Sequence, residues 1–183
     1  MKPVFHNRTN KEHKFIDEFN QNKVIWESRS VAVVGILFAL VNNELFVLTE
    51  KRSDTMMDEP GKYCVPCGYL DWNENGWDAL RREVYEETSF FIDDYKKYLV
   101  HDNNQSPFFV NTSPTENRQN VAMSYALVFD FPPDVFPRHI ENHVDHEIAE
   151  VKWLPYADRN EYSWAFNHNQ RINMALEYIL KEA

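Results

Sequence analysis

The chain has 183 residues, 43% of them apolar and 15% aromatic, which argues against disorder and suits one domain with a core of its own. Its 29 acidic and 19 basic residues give a net charge of −10, which argues against a nucleic-acid partner because such proteins need a basic face. No apolar run approaches the ~20 residues of a membrane span, and the N-terminus lacks a signal-peptide core, so we expect a cytoplasmic protein with no membrane partner.

Residues 1–30 are predicted to form an N-terminal extension. Within it, Phe15, Ile16 and Phe19 follow a capping residue at helical spacing, so we predict a short amphipathic helix over Lys11–Phe19. Such a helix can cover the core or reach a second subunit.

The main domain is predicted to span residues 31–183 and to begin with two strands. Residues 31–41, VAVVGILFALV, are continuous and rich in β-branched side chains, as in a strand buried on both faces. Asn42 and Asn43 favour a tight hairpin turn because Asn tolerates positive φ, and residues 44–52 return as the second strand. A polar loop then leads to a further strand over residues 62–70, KYCVPCGYL.

An acidic helix follows this strand. Residues 77–88 carry an apolar stripe at helical spacing with no interrupting Pro or Gly. Glu83, Glu86 and Glu87 stand at i, i+3 and i+4, so their carboxylates crowd one face. Two interpretations compete: a solvated face on which Arg82 pairs with Glu86, or a site for a hard divalent cation, which takes carboxylate oxygens as ligands. The stripe consists of Ala79, Leu80, Val84 and Thr88.

The second half of the chain continues the alternation of strands and helices, which predicts an α/β fold. A short helix or turn, two strands on either side of a long polar loop, a late strand and a C-terminal helix are predicted in turn. Their residues are 92–98 for the turn, 108–110 and 121–131 for the strands, 111–120 for the polar loop, 147–155 for the late strand and 165–180 for the helix. The C-terminal helix has Ile172, Leu176, Ile179 and Leu180 as its apolar stripe.

Two other clusters resemble metal or redox motifs. Cys64 and Cys67 form C-V-P-C, but a zinc site needs about four ligands and residues three apart on a strand face opposite ways, so two unlinked thiols are favoured. His139, His143 and His146 share one face of any helix, where a transition metal could bind. The late strand leaves barely two turns for such a helix, which favours a polar loop.

The order of charges in residues 68–90 closely resembles the Nudix box, the signature of the Nudix hydrolase superfamily. The match is to G-x5-E-x7-R-E-U-x-E-E-x-G-U, in which U is a bulky apolar residue. Ser89 stands where the family usually has Gly, and Cys67 replaces the first Gly of its usual Pro-Gly-Gly. The residues on the matching positions are Gly68, Glu74, Arg82, Glu83, Val84, Glu86, Glu87 and Phe90.

The resemblance implies an α/β/α sandwich with a mixed β-sheet between helices. It also implies a Mg2+-dependent hydrolase, with Mn2+ able to substitute, that cleaves the diphosphate linkage of a nucleoside diphosphate derivative through attack of water at phosphorus. Family members are often homodimers. The alternative is a non-catalytic Nudix domain that senses a nucleotide ligand; a metalloenzyme built on the three histidines is a weaker third hypothesis.

The resemblance also assigns roles to individual residues. Glu86 and Glu87 are the expected metal ligands, Glu83 is a third ligand or the general base, and the Gly68 carbonyl can reach a metal. Arg82 and Glu74 are expected to form an ion pair that orients the ligands. The late strand resembles that of Nudix proteins in which an acidic residue approaches the metal, and Glu147 and Glu150 are its two candidates here, each as well explained by an exposed strand edge.

Of all the properties considered, the identity of the substrate is the one that the sequence determines least. Arg52 and Arg118 are candidates for binding a phosphate, although surface roles are commoner for arginine. The segments Trp-Leu-Pro and Phe-Asn-His near the C-terminus resemble enzymes of ADP-ribose or nucleotide sugars, which gives those substrates a weak preference. Aromatic side chains that can stack a base are Trp26, Tyr63, Tyr69 and Trp72.

Overall fold

Two helices cover a mixed β-sheet in the computed structural model, which describes residues 11–112, 120–138 and 147–182. The helices are α1 (Gly76–Thr88) and α2 (His168–Glu182), and within the described ranges neither is long and apolar enough to cross a membrane. The strands are β1 (Lys11–Ile16), β2 (Asn22–Glu27), β3 (Ser30–Val41), β4 (Glu44–Arg52), β5 (Tyr63–Cys64), β6 (Cys67–Tyr69), β7 (Leu99–His101), β8 (Phe109–Thr112), β9 (Asn120–Asp130) and β10 (Ile148–Pro155). Short 3-10 helices span Ile92–Tyr98, Asn103–Gln105 and Tyr156–Glu161.

The sheet is built around β3. Its strand order is β10-β4-β3-β9-β7, with β5 paired to β4, β6 to β3 and β8 to β9. The pairing of β3 with β9 is parallel and the other pairings are antiparallel. This mixed sheet confirms the fold class that the resemblance implies.

Alternate side chains of β3 enter two separate cores, because successive residues of a strand face opposite sides of a sheet. Val33 and Leu37 pack on the side of α1, whereas Val34 and Ile36 pack on the side of α2. The predicted stripe of α1 is buried throughout, which confirms it. In α2 the prediction holds for Ile172, which is fully buried, but it is wrong for Leu180, which is 69% exposed near the end of the helix.

The hairpin between β3 and β4 turns where the sequence predicts. Asn42 and Asn43 have φ of 51° and 64°, in the left-handed region that Asn tolerates. The pair Val41 and Glu44 closes the ladder on either side of them.

The N-terminal helix prediction over Lys11–Phe19 is wrong, because β1 and β2 form a two-stranded antiparallel hairpin there. Asp17 supplies the reason. Its Oδ1 accepts hydrogen bonds from the backbone N–H groups of Phe19 and Gln21, at 2.9 and 2.8 Å, and Asn20 takes a φ of 63°. This side-chain-to-backbone turn competes with helix formation and reverses the chain. The division of the chain at residue 30 stays a prediction.

Helix α1 is fixed at both ends. The side chain of Asn75 accepts hydrogen bonds from the backbone N–H groups of Trp77 and Asp78, at 2.9 and 3.0 Å. At the other end Ser89 has a φ of 57°, and its N–H donates to the carbonyl of Tyr85 at 2.8 Å. The chain therefore ends this helix with a left-handed residue although that residue is not Gly.

Substituting Ser89→Gly is expected to raise the free energy of unfolding by about 1 kcal/mol, because Gly takes positive φ without the clash of a Cβ. Urea unfolding measures the change. Ser106→Gly is the matched control: that exposed serine has a φ of −108°, so Gly there should lower stability by ~0.5 kcal/mol. Equal effects at both positions would contradict the explanation.

Candidate active site

The acidic face of α1 lies against β6, and Gly68 makes that approach feasible. Gly68 pairs with Val33 of β3, and the carboxylate of Glu83 lies directly on its Cα. A Cβ at position 68 would stand 2.1 to 2.3 Å from the carboxylate atoms of Glu83, so any other residue would displace that side chain. The glycine is needed here for close approach rather than for its backbone angles.

Arg82 is the cation of the site. It donates two hydrogen bonds to the carboxylate of Glu74, at 2.7 and 3.0 Å, and another to the carbonyl of Tyr69 at 2.9 Å. Its remaining Nη1 donates to Glu83 at 2.8 Å and to Glu86 at 3.0 Å. The hydrogen bonds from Arg82 lower the pKa of Glu74, and those contacts raise the pKa of Arg82. The solvated-face and cation-site interpretations are therefore compatible. Arg82 does pair with Glu86, and it also binds the carboxylates of Glu74 and Glu83.

Glu87 points inward from α1 and is half-buried. Its Oε2 accepts a hydrogen bond from the backbone N–H of Cys67 at 2.8 Å. Burial raises the pKa of Glu87 well above its ordinary value, and the nearby carboxylates of Glu50 and Glu83 raise it further. Glu86, by contrast, is 57% exposed on the same helix.

Glu50 is a residue of the site that sequence analysis missed. It lies on β4, only 1% exposed, and it shares a hydrogen bond with Glu87. Its Oε1 accepts from the thiol of Cys64 at 3.0 Å, and burial raises the pKa of Glu50 to about 7. Alternation along β4 could have found it, since Phe46 and Leu48 on the same face both pack toward α1.

The two cysteines are unlinked, as predicted. Burial raises the pKa of both thiols well above the ordinary value, so both are neutral at neutral pH. The side chain of Cys67 packs on the α2 side of the sheet, while its backbone N–H donates a hydrogen bond to Glu87. The substitution of Cys for the usual family Gly therefore leaves the carboxylate cluster unobstructed.

The two acidic candidates of the late strand, Glu147 and Glu150, lie in different surroundings. The carboxylate of Glu150 accepts a hydrogen bond from the hydroxyl of Tyr63 at 2.6 Å and contacts Lys152 Nζ at 3.3 Å, and its candidacy as a metal ligand stays a prediction. Burial alone would raise the pKa of Glu150, but these partners outweigh it and lower the pKa. Glu147 lies exposed just before β10, with its carbonyl accepting from the Ser53 N–H at 2.7 Å.

The predicted substrate residues are only partly described. The Nε of Arg52 donates to the carbonyl of Asp58 at 3.0 Å, and its guanidinium lies 4.9 Å from the ring centroid of Phe166. Tyr69 and Trp72 are 57% and 90% exposed, whereas Tyr63 is engaged with Glu150. Outside the described residues lie Arg118, His139, His143, His146 and the side chain of Trp26.

The cluster fits a divalent cation by its chemistry. Its donors are carboxylate oxygens, which Mg2+ and Mn2+ prefer. Glu50 Oε2 is buried and has no N–H or hydroxyl donor among the described residues, so a protonated Glu87 is its available partner. As they stand, no three His, Cys, Asp or Glu side chains of the described ranges surround one point. Arg82 compensates part of this negative charge, and burial favours the neutral forms of Glu50 and Glu87 by raising their pKa values.

The whole-chain comparisons agree with this geometry. A family model described as "NUDIX domain" matches residues 29–173, and the chain belongs to that family. No curated protein matches the chain significantly.

Solved structures of several Nudix proteins share the fold. The NUDIX domain of Shewanella oneidensis NrtR, solved with ADP ribose, is 22% identical over 84% of this chain and 90% of that chain, with a TM-score of 0.62. NrtR complexed with a 27mer DNA is 22% identical over 83% of this chain and 63% of that chain, with a TM-score of 0.57.

Two further relatives are named as enzymes. A C. elegans Ap4A hydrolase is 15% identical over 84% of this chain and 99% of that chain, with a TM-score of 0.61. A bifunctional NMN adenylyltransferase/ADP ribose pyrophosphatase from Francisella tularensis, complexed with AMP and Mn ion, is 21% identical over 81% of this chain and 41% of that chain, with a TM-score of 0.59. These likenesses show the fold.

Metal-free protein is expected to lose stability as the pH rises from 4.5 to about 7, because folded Glu50 retains a proton over that range that the unfolded chain releases. Below pH 4.5, Glu50 is protonated in both the folded and the unfolded chain, so the stabilisation is fully present there. It is lost as the pH rises through about 7, where folded Glu50 releases its proton. Glu50→Gln imitates the protonated form, so its stability relative to wild type should rise over this window by up to ~3 kcal/mol.

Urea unfolding in EDTA at a series of pH values measures this difference. Glu44→Gln is the matched control, since Glu44 is an exposed carboxylate at the start of the same strand. A pH-independent difference between Glu50→Gln and wild type would show that Glu50 does not titrate in this range.

Proposed function

We propose that the chain is a Mg2+-dependent hydrolase that cleaves the diphosphate linkage of a nucleoside diphosphate derivative. The observation that carries the proposal is the group of carboxyls where α1 meets β6, in which Glu50 is buried, Glu87 is half-buried, and neither forms an ion pair within the described residues. A divalent ion both compensates such charge and neutralises phosphate oxygens. Mn2+ is the expected substitute. The cytoplasmic location and the homodimer stay predictions.

Glu83, Glu86 and Glu87, with the Gly68 carbonyl, are the residues proposed to hold the metal, and Glu147 is proposed as a further ligand from outside the helix. The bound ion would offset the negative charge of the phosphoryl oxygens and lower the pKa of the attacking water. Burial raises the pKa of Glu83, which suits a general base that takes a proton near neutral pH. Glu83 is 12% exposed, so it is partly shielded from solvent.

Arg82 and Glu74 are proposed to position these carboxylates. Arg82 is held by a two-bond contact with Glu74 and by the carbonyl of Tyr69, which fixes its guanidinium. The remaining nitrogen of the fork then fixes the orientation of Glu83 and Glu86. A planar fork of this kind restricts geometry in a way that a lysine does not.

ADP-ribose or a nucleotide sugar is the proposed substrate class. Two of the similar structures support it, one bound to ADP ribose and one named as an ADP ribose pyrophosphatase. The likeness to an Ap4A hydrolase makes a dinucleotide the competing substrate class. Arg52 and Arg118 are proposed to contact the phosphates of this substrate; Arg52 lies two residues beyond Glu50 on β4 and so on the same face of the sheet, which supports its part.

A nucleotide-sensing domain is the second candidate function. It is favoured by the likeness to NrtR, whose NUDIX domain was solved with ADP ribose and which was also solved with a 27mer DNA. The complete set of charged residues in this chain favours the hydrolase instead, because a sensor needs no arrangement that activates water.

Incubation with Mg2+ and a panel of nucleoside diphosphate derivatives, dinucleotides and nucleoside triphosphates is expected to yield turnover of ADP-ribose or a nucleotide sugar. Chromatography of the products identifies the bond that is cut. The double variant Glu86→Gln/Glu87→Gln should lose nearly all activity because it removes two proposed ligands. Tight binding of ADP-ribose without Mg2+-dependent turnover of any member would instead support the sensor.

Arg82→Lys is expected to lower kcat by about 10- to 100-fold with little change in KM, since lysine cannot hold Glu74, Glu83 and Glu86 together. Steady-state kinetics on the substrate found above measure it. Arg81→Lys is the matched control on the same helix, because Arg81 pairs with Asp78 and Asp93 on another face. Comparable losses in the two variants would contradict a positioning role for Arg82.

A further inference from the structure

We propose that Arg171, held by Ser124, binds a phosphate group of the ligand on the α2 side of the sheet. The inference rests on the proposed function for the identity of the ligand, but it concerns a cation that neither the box nor the carboxylate cluster includes. Sequence analysis gave no signal for it, since Arg171 lies within a helix with no recognisable motif around it.

Arg171 is held in place by a buried hydroxyl. It lies in the first turn of α2, half-buried, and its Nη1 donates a hydrogen bond to the Oγ of Ser124 at 2.7 Å. Ser124 is fully buried on β9. One terminal nitrogen is therefore anchored, and the rest of the guanidinium fork is available to bind a phosphate, for which its planar geometry is suited.

The register of the sheet relates this guanidinium to the strand beside the carboxylate cluster. Ser124 and Cys67 are both paired with Val34, one from β9 and the other from β6, so all three lie on one rung. Residues opposite one another on a rung share a face, and neighbouring strands are ~4.8 Å apart, so two strand spacings, ~9.6 Å, separate Ser124 from Cys67.

The next residue along β6 faces the other side of the sheet. There Gly68 lies under the carboxylate of Glu83, while Cys67 and Arg171 are on the α2 side. Arg171 and the proposed metal ligands therefore lie on opposite faces of the sheet, with β3 between β9 and β6. The phosphate bound by Arg171 is thus separate from any group held directly at the carboxylates.

The charge of Arg171 has no ionic partner among the described residues, although the chain carries 29 acidic side chains. Burial lowers the pKa of Arg171. A half-buried cation without a counter-ion is costly, and an anionic ligand would offset that cost.

Arg159 is an arginine with a structural role on the same side of the sheet. Its Nε donates to Asn173 at 2.8 Å, its Nη1 donates to the carbonyl of Tyr156 at 3.0 Å, and its guanidinium stacks 3.9 Å from the ring centroid of Tyr156. Arg159 is occupied by neutral partners, whereas Arg171 makes one side-chain hydrogen bond within the described residues. Arg159→Met is therefore a matched control for removal of a cation that contacts α2.

The test is a titration of 15N-labelled full-length protein in EDTA with inorganic pyrophosphate, ADP and adenosine, in which the side-chain Nε–H resonances of arginine are followed. The Arg171 resonance is assigned by its loss in Arg171→Lys. We expect it to shift with pyrophosphate and with ADP but not with adenosine. Because no metal is present, the readout is independent of hydrolysis.

Arg171→Met should weaken ADP binding by about 10- to 100-fold, with partial recovery in Arg171→Lys and a smaller loss in Ser124→Ala, where the anchor is removed but the charge remains. Arg159→Met should change the affinity by less than about twofold. If Arg171→Met does not fold, the wild-type resonance and Ser124→Ala still decide the question.

An unmoved Arg171 resonance with pyrophosphate and ADP, or equal ADP affinity in wild type and Arg171→Met, would overturn the proposal. A shift with adenosine alone would overturn it as well. Absence of turnover in the substrate panel together with a shifted Arg171 resonance would reject the hydrolase while keeping the phosphate site.

Discussion

Compensation of buried negative charge is the constraint on which this structure depends. Glu50, Glu83 and Glu87 approach one another where α1 meets the sheet, and desolvation penalises every charge there. The protein offsets the cost with Arg82, a backbone N–H and a thiol, and burial raises the pKa of Glu50 and Glu87, which favours their neutral forms. A bound divalent cation would offset the same charge, which is the physical basis of the proposed function.

The sheet places these groups by bringing α1 very close to β3. A Cβ at Gly35 would lie 2.7 Å from Leu80 Cδ1, so the helix packs against a strand with no side chain at the point of contact. Gly68 permits the same close approach at the edge, where Glu83 lies over β6. Because β3 is buried on both faces, the register that fixes α1 on one side also fixes Ser124 and Arg171 on the other. Two faces of one sheet thus contribute to one end of the molecule.

Local patterns predicted much of the fold and part of the site. The stripe of α1, the turn at Asn42 and the continuous strand β3 are each encoded within a few residues, so periodicity and turn chemistry were sufficient. The N-terminal hairpin was missed because three apolar residues at helical spacing carried less weight than the turn made by Asp17. Glu50 and Arg171 were missed for another reason: their partners are distant in the sequence, so the meaning of each residue depends on tertiary pairing. Glu150 was proposed from its place in the late strand, and that pattern could not show its contact with Tyr63, which is distant in the sequence.

The two departures from the Nudix pattern show which properties of those positions the fold requires. At residue 67 the contact with Glu87 is made by the backbone N–H, so a side chain is tolerated provided that it points to the other side of the sheet, as Cys67 does. At residue 89 the requirement is a left-handed backbone angle, which Ser89 adopts at an energetic cost two residues beyond Glu87. Neither substitution changes an oxygen of the cluster. At Gly68, in contrast, the carboxylate of Glu83 fills the space of a side chain, and the fold leaves no comparable freedom.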